Sequence, residues 1–315
     1  MRICEMRILG VDENGLGPRL GPLVITGVLV EAAGPSDVLL ANHHGPVQDS
    51  KALFRRDRAS YAAGESVALA ILGEAGLGVA TPGDLALTLG LPPDLPLPGD
   101  GLPLWCKGSA DLGLGETRVA GVSVIALTPG LFNAGVREFG DKFSLDLAAF
   151  LDLAARMRPF DLGLFGKVGG RKFYGPALAG HGFGDYRVVH ELQAESVYDL
   201  LQTAGEAPGS AGVLGTSAAP ASGSDHRLGN PSGMTGQPVR LSFARDADSF
   251  YLPVAAASVV GKYIRELSML ELNRLAGFPG DFPWCSGYPS DPKTRQLAES
   301  LAGVFPRATD YLRSC

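Results

Sequence analysis

Met6-Arg7-Ile8-Leu9-Gly10-Val11-Asp12-Glu13-Asn14-Gly15-Leu16-Gly17-Pro18, followed by the β-rich run Leu23 to Val30, reads as a strand, a glycine turn and a second strand. Successive strand side chains point to opposite faces, so Asp12 and Glu13 cannot both turn cheaply toward one core. At the C-terminal edge of a strand, both can reach the crevice in which α/β proteins bind ligands. Gly15 and Gly17 allow a ligand to approach the backbone closely, and bare amides there can donate to a phosphate or a sugar hydroxyl. Taken by themselves, the two acids are also compatible with a solvated Asp-Glu turn.

Working outward, a second acidic tip, Asp246-Ala247-Asp248, follows the apolar strand Val239 to Phe243. Beyond it, a helix over Val254 to Leu275 carries Ser258, Lys262, Arg265 and Glu266 at spacings that share one face. Ala256, Val259, Tyr263 and Leu267 form the stripe expected to face a core. A hydroxyl and two cations beside a carboxylate tip suit a phosphate backbone next to a metal site. An amphipathic helix with a charged outer face is the plainer alternative.

The remaining periodicity gives helices over Phe54 to Leu72, Ser144 to Met157 and Asp291 to Leu301, and strands over Arg118 to Leu127, Asp161 to Phe165 and Arg187 to Glu191. Strands alternating with helices make the chain α/β with a partly parallel sheet. Residues 81–116 are Pro/Gly/Leu-rich with little period and read as an irregular surface insertion; residues 203–238 are Gly/Ser-rich and read as a flexible one. A net charge of −6, from 27 Lys and Arg against 33 Asp and Glu, excludes a polycationic nucleic-acid coat but not a local basic groove. Lys167, Arg171 and Lys172 around Gly169-Gly170 are one candidate for such a groove. No stretch approaches the roughly 20 apolar residues of a membrane span. Cys4, Cys106, Cys285 and Cys315 are scattered without a CxxC, as in a cytoplasmic protein with reduced thiols.

Four blocks in order carry a resemblance. Gly10-Val11-Asp12-Glu13-Asn14-Gly15-Leu16-Gly17-Pro18 with Gly21-Pro22-Leu23-Val24 resembles the G-[IV]-D-E-A-G-R-G-P-x-x-G-P-V opening of ribonuclease HII. Asp49-Ser50-Lys51-Ala52-Leu53 is similar to that family's D-S-K-K-L. Asp246-Ala247-Asp248 with Tyr251 and Ala255-Ala256-Ala257-Ser258-Val259-Val260-Gly261-Lys262 is similar to its K-A-D-A-x-Y and A-A-S-I-x-A-K block. Gly287-Tyr288-Pro289-Ser290 resembles its late G-Y-P-T.

The resemblance implies a ribonuclease H-like mixed five-stranded sheet flanked by helices over 1–275, then a small helical part over 276–315. It implies an endonuclease that cuts the RNA strand of RNA/DNA hybrids, or DNA beside an embedded ribonucleotide, leaving 5′-phosphate and 3′-hydroxyl ends. Four carboxylates in that family hold two Mg²⁺ or Mn²⁺ ions, one activating water and the other stabilising the leaving oxygen. Asp12, Glu13 and Asp248 match three of them, as catalytic residues and metal ligands. Gly15, Leu16 and Gly17 match the loop at the ribose, Ser50, Lys51, Ser258 and Lys262 the phosphate contacts, and Tyr288 the tyrosine beside the scissile bond. A hybrid or ribonucleotide-containing duplex is the implied partner; no protein partner and no membrane are.

Two departures stand out. The fourth acid of the family ends a strand, and here Leu164-Phe165-Gly166-Lys167-Val168-Gly169-Gly170 puts Gly166 in its place. Val188 to Tyr198 imitates the K-A-D-A-x-Y block a second time, which makes Glu195 a candidate replacement acid, with Asp246 another. The Arg of the family's Gly-Arg-Gly is Leu16, with Arg19 close by. The first departure leaves open a weakened or inactive descendant that binds nucleic acid.

Overall fold

The structure, a computed structural model, describes residues 6–201, 238–278 and 284–314. Seven strands form one mixed sheet: β1 (Met6–Asn14), β2 (Leu23–Ala32), β3 (Arg118–Leu127), β4 (Leu162–Gly166), β5 (Tyr186–Glu191), β6 (Glu195–Leu200) and β7 (Val239–Ala244), in the order β3-β2-β1-β4-β7-β6-β5. β1, β4 and β7 run parallel at its centre, and every other neighbouring pair is antiparallel. The expected mixed sheet flanked by helices is present, with two strands more than the expected five. The extra pair is the β5–β6 hairpin, added where Glu195–Leu200 continues from a stretch expected to hold one strand.

The helices are α1 (Ser50–Leu53), α2 (Arg58–Glu74), α3 (Pro82–Leu89), α4 (Pro129–Phe139), α5 (Lys142–Arg156), α6 (Gly175–Gly180), α7 (Leu252–Leu275) and α8 (Thr294–Leu301). The strand alternation of β1 assigns its two faces. Ile8 packs in the layer shared with α2 and α7, whereas Leu9 and Val11 pack in the layer shared with α4 and α5. Gly10 faces α7, where an added Cβ would stand 2.3 Å from the backbone carbon of Pro253. Only a glycine lets the helix start lie this close to the strand.

Three expectations change. Helix α7 is not amphipathic with a wet face: Ser258, Arg265 and Glu266 are buried along with its apolar residues, because α2, the sheet and the C-terminal segment cover it from every side. Helix α2 starts at Arg58, not Phe54, because Asp57 caps it, accepting from the Ser60 amide at 2.9 Å and the Ser60 hydroxyl at 2.6 Å.

Residues 81–116 are not a loose surface excursion either. They contain α3 and bury Leu85, Leu89, Leu91, Leu95 and Leu112 in the α2–α7 layer. Buried Glu65 pins them, accepting from the Leu104, Trp105 and Cys106 amides. The stretch 203–238 lies, but for its last residue, outside the described residues. Beyond 276, α8 and Tyr311 pack into the same core, and Leu312 bridges to Leu20.

Candidate active site

Asp12 and Glu13 are the penultimate pair of β1, still inside the strand, and each is half-buried. Alternation sends Asp12 to the α7 side and Glu13 to the α5 side. Asp248 arrives from another route. β7 ends at Ala244, Asp246 takes a left-handed φ of 54°, and one 3₁₀ turn over Ala247–Ser249 presents the Asp248 side chain beside Asp12. Aspartate is among the few side chains that tolerate this backbone region.

The charges register the convergence. Removal from water, followed by repulsion from Asp248, pushes the Asp12 carboxyl up to about 7. Burial, then the carboxylates of Asp146 and Asp12, hold Glu13 well above the ordinary range. Asp248 is raised too, by burial and by Asp49. Lys51, exposed on α1, is held above its usual value despite burial, by Asp49, Asp248, Asp12 and Asp246. It is the cation that faces the acidic group.

The expected contact residues divide. Ser258 is buried; its hydroxyl hydrogen-bonds the Asp12 carboxylate and meets the hydroxyl of buried Ser50 at 2.9 Å. Both serines therefore orient Asp12 from below, where a phosphate cannot reach them. Lys262 pairs with Glu266 at 2.7 Å and is turned into the core. Glu195 accepts from Ser242 at 2.7 Å and meets His190 at 3.2 Å, so its oxygens already have partners. Asp246 is exposed at the tip.

The glycine turn and Tyr288 do come together: a Cβ on Gly17 would lie 3.5 Å from the Tyr288 ring, which is 38% exposed. Gly15 has a φ of 97° and packs on the Arg265 guanidinium, and buried Arg313 donates to the Gly15 and Gly21 carbonyls. Two buried arginines thus set the shape of the turn from behind. Leu16 is half-buried against the α5-side core. Lys167, lowered by burial and by repulsion from Arg245 and Lys172, marks a basic patch just past the end of β4.

Sequence reasoning missed Asp146 and Arg313, and read Arg265 as a cation beside a phosphate where the structure buries it behind the glycine turn. The signal for Asp146 was available, since Phe143-Ser144-Leu145-Asp146-Leu147 puts an acid among the apolar positions of a helix start. Among the described residues, no three His, Cys, Asp or Glu side chains are grouped to hold a metal ion as they stand. The donor chemistry nonetheless fits a hard divalent cation, which takes oxygen ligands, and both Asp146 oxygens are buried without a hydrogen-bond partner.

Residues 195–313 match the family model described as Ribonuclease HII, a segment that includes Asp248 and Tyr288 but not Asp12 or Glu13. The chain is 36% identical over 75 residues to a ribonuclease HII of Methanothermobacter thermautotrophicus, covering 24% of this chain and 34% of that protein. It is 47% identical over 63 residues to the ribonuclease HII of Thermococcus sibiricus, covering 19% and 26%. The chain thus matches about a third or less of the length of these curated relatives. The solved PCNA:RNase HII complex from Archaeoglobus fulgidus aligns over 98% of this chain and 94% of that one, at 17% identity and a TM-score of 0.47.

Proposed function

We propose that the chain, whose residues 195–313 match the ribonuclease HII family model, is a member of that family and a divalent-metal-dependent endonuclease acting on ribonucleotides paired with DNA. The observation that carries the reading is the meeting of Asp248, which lies within the matched segment, with the Asp12–Glu13 tip more than 230 residues earlier. Neither part of the chain makes sense of its acids alone.

Asp12, Glu13 and Asp248 would hold Mg²⁺ or Mn²⁺, and the cation supplies water activation and charge neutralisation at the leaving oxygen. The protein's own share is placement. Ser258 fixes the Asp12 carboxylate, and Ser50 fixes Ser258. Gly15 and Gly17 offer backbone to a ribose, held in shape by Arg265 and Arg313. Tyr288 stands beside Gly17 as a stacking surface for the sugar or base. Lys51 and the Lys167–Lys172–Arg245 patch flank the acids on two sides and would receive phosphates.

Incubation with a DNA duplex containing one ribonucleotide, and with a long RNA/DNA hybrid, in Mg²⁺ and in Mn²⁺, tests this. Cleavage leaving 5′-phosphate and 3′-hydroxyl ends is the expected result. A folded protein that cuts neither duplex with either ion overturns it. Gly166 favours a second reading, a hybrid-binding protein with weakened chemistry. That reading expects salt-dependent duplex binding that Asp12→Asn leaves unchanged.

A further inference from the structure

Segment 312–314 closes the glycine turn from beneath. Leu312 forms an antiparallel bridge with Leu20, and the Arg313 amide donates to the Arg19 carbonyl at 2.9 Å. The Arg313 guanidinium, 1% exposed, then reaches across the turn. Its Nε and Nη2 donate to the Gly21 carbonyl at 2.8 and 2.7 Å, and its Nη1 donates to the Gly15 carbonyl. Buried Asn133 of α4 fixes the segment from the other side. Its Nδ2 donates to the Leu312 carbonyl at 2.9 Å, and its Oδ1 accepts from the Ser314 amide at 2.7 Å. The Phe132 ring lies 4.7 Å from the guanidinium carbon.

In a trans peptide a carbonyl and the amide that follows it point opposite ways. With the Gly15 carbonyl tied back to Arg313, the Leu16 amide points away from the buried arginine. Neither the Leu16 nor the Gly17 amide donates to any group among the described residues. A charged donor on the carbonyl also polarises the peptide and strengthens its N–H. Arg265 works elsewhere: its Nη2 donates to the Leu20 and Ser286 carbonyls at 3.2 and 3.1 Å, joining the turn to the loop of Tyr288.

Resting on the ribonucleotide reading above, we infer that Arg313 is a positioning residue for ribose selection, turning and polarising the Gly15–Leu16 peptide so that the Leu16 amide donates to the 2′-hydroxyl oxygen of a ribonucleotide. Arg313 itself touches no substrate. A phosphate oxygen could accept from the same amide, but every nucleotide carries one, so that contact gives no preference for ribose. Lysine keeps the charge and lacks the planar fork that holds the Gly15 and Gly21 carbonyls together, so Arg313→Lys isolates the geometry.

Fluorescence anisotropy in Ca²⁺, with two duplexes that differ only in one ribose 2′-hydroxyl, reads the inference without cleavage. The wild type should favour the ribonucleotide duplex, and Arg313→Lys should lower the ratio of the two affinities about fivefold, the worth of one net hydrogen bond. Affinity for the all-DNA duplex, set by phosphates, should move by less than about twofold. A wild-type measurement stands if the variant does not fold. In ¹⁵N-labelled protein, the Leu16 amide resonance should shift on adding the ribonucleotide duplex and stay in place on adding the all-DNA duplex.

A folded Arg313→Lys protein that keeps the wild-type ratio, or loses affinity equally for both duplexes, overturns the inference. So does a Leu16 shift that is the same with either duplex. If the wild type prefers the ribonucleotide duplex and either of these results is found, only this inference fails. If the wild type binds both duplexes alike, the ribonucleotide reading fails with it.

Discussion

Two groups of carboxylates withdrawn from water, one on helices and one at the β1 tip, are treated in opposite ways in this molecule. Glu65 and Glu266, in the layer between α2 and α7, are saturated. Glu65 accepts from three backbone amides and from the Tyr263 hydroxyl at 2.9 Å. Glu266 accepts from the Tyr61 hydroxyl at 2.6 Å and the Trp284 indole at 3.1 Å, and pairs with Lys262. Burial pushes Glu266 up, but Lys262, Arg265 and these donors outweigh it and bring the carboxyl down to about 2. At the β1 tip, burial acts with repulsion and the acids rise. Burial is common to both groups; the sign is set by what the protein supplies around them. A saturated acid holds structure together, and an unsaturated cluster is what the proposed metal site calls for.

The sharpest way to break the comparison is Asp12→Asn. Cleavage of a ribonucleotide-containing duplex should fall more than about a thousandfold, about 4 kcal/mol of barrier, with the melting temperature of the metal-free protein unchanged or higher. A large fall in melting temperature would mean that Asp12 is structural, like Glu65. The converse substitution, Glu266→Gln, leaves the largely covered Lys262 and buried Arg265 without their carboxylate partner and should cost about 3 kcal/mol in urea unfolding.

The acidity of the two groups gives opposite pH trends. Glu266 binds its proton less readily folded than unfolded, so its contribution is whole above the ordinary glutamate range and is lost as pH falls toward about 2. Asp12 binds its proton more tightly folded, so stability is whole below about 4 and is lost as pH rises toward about 7. With chelator present, Asp12→Asn should therefore gain on the wild type by up to about 4 kcal/mol between those limits. A pH-independent difference would contradict the crowding of charge at the tip. At the small end, Arg295→Ala removes a fully exposed pair with Glu299 and should leave the urea-unfolding midpoint unchanged.

The acids at 12, 13 and 248 and the glycine turn were legible because each sits in a local pattern: an alternating run, a tight turn, a short strand before a long helix. The cost of Ser258 and Lys262 being misread as phosphate contacts was equally local. Spacing shows that they share a face of α7, but not that α2, the sheet and the C-terminal segment would bury that face. The hairpin strand Glu195–Leu200 and the core leucines of 81–116 were hidden for a related reason, since their partners lie far away in sequence.

By itself, then, the sequence determined an α/β chain with two acidic strand ends and glycines beside the first. Those features follow from backbone sterics and period-2 alternation, which act over a few residues. Only the tertiary structure decided that Asp248 joins Asp12, that Arg265 and Arg313 underpin the turn, and that Asp146 is buried without a hydrogen-bond partner. Those meetings depend on how layers pack and on where charge is left without a partner, and no local spacing encodes either.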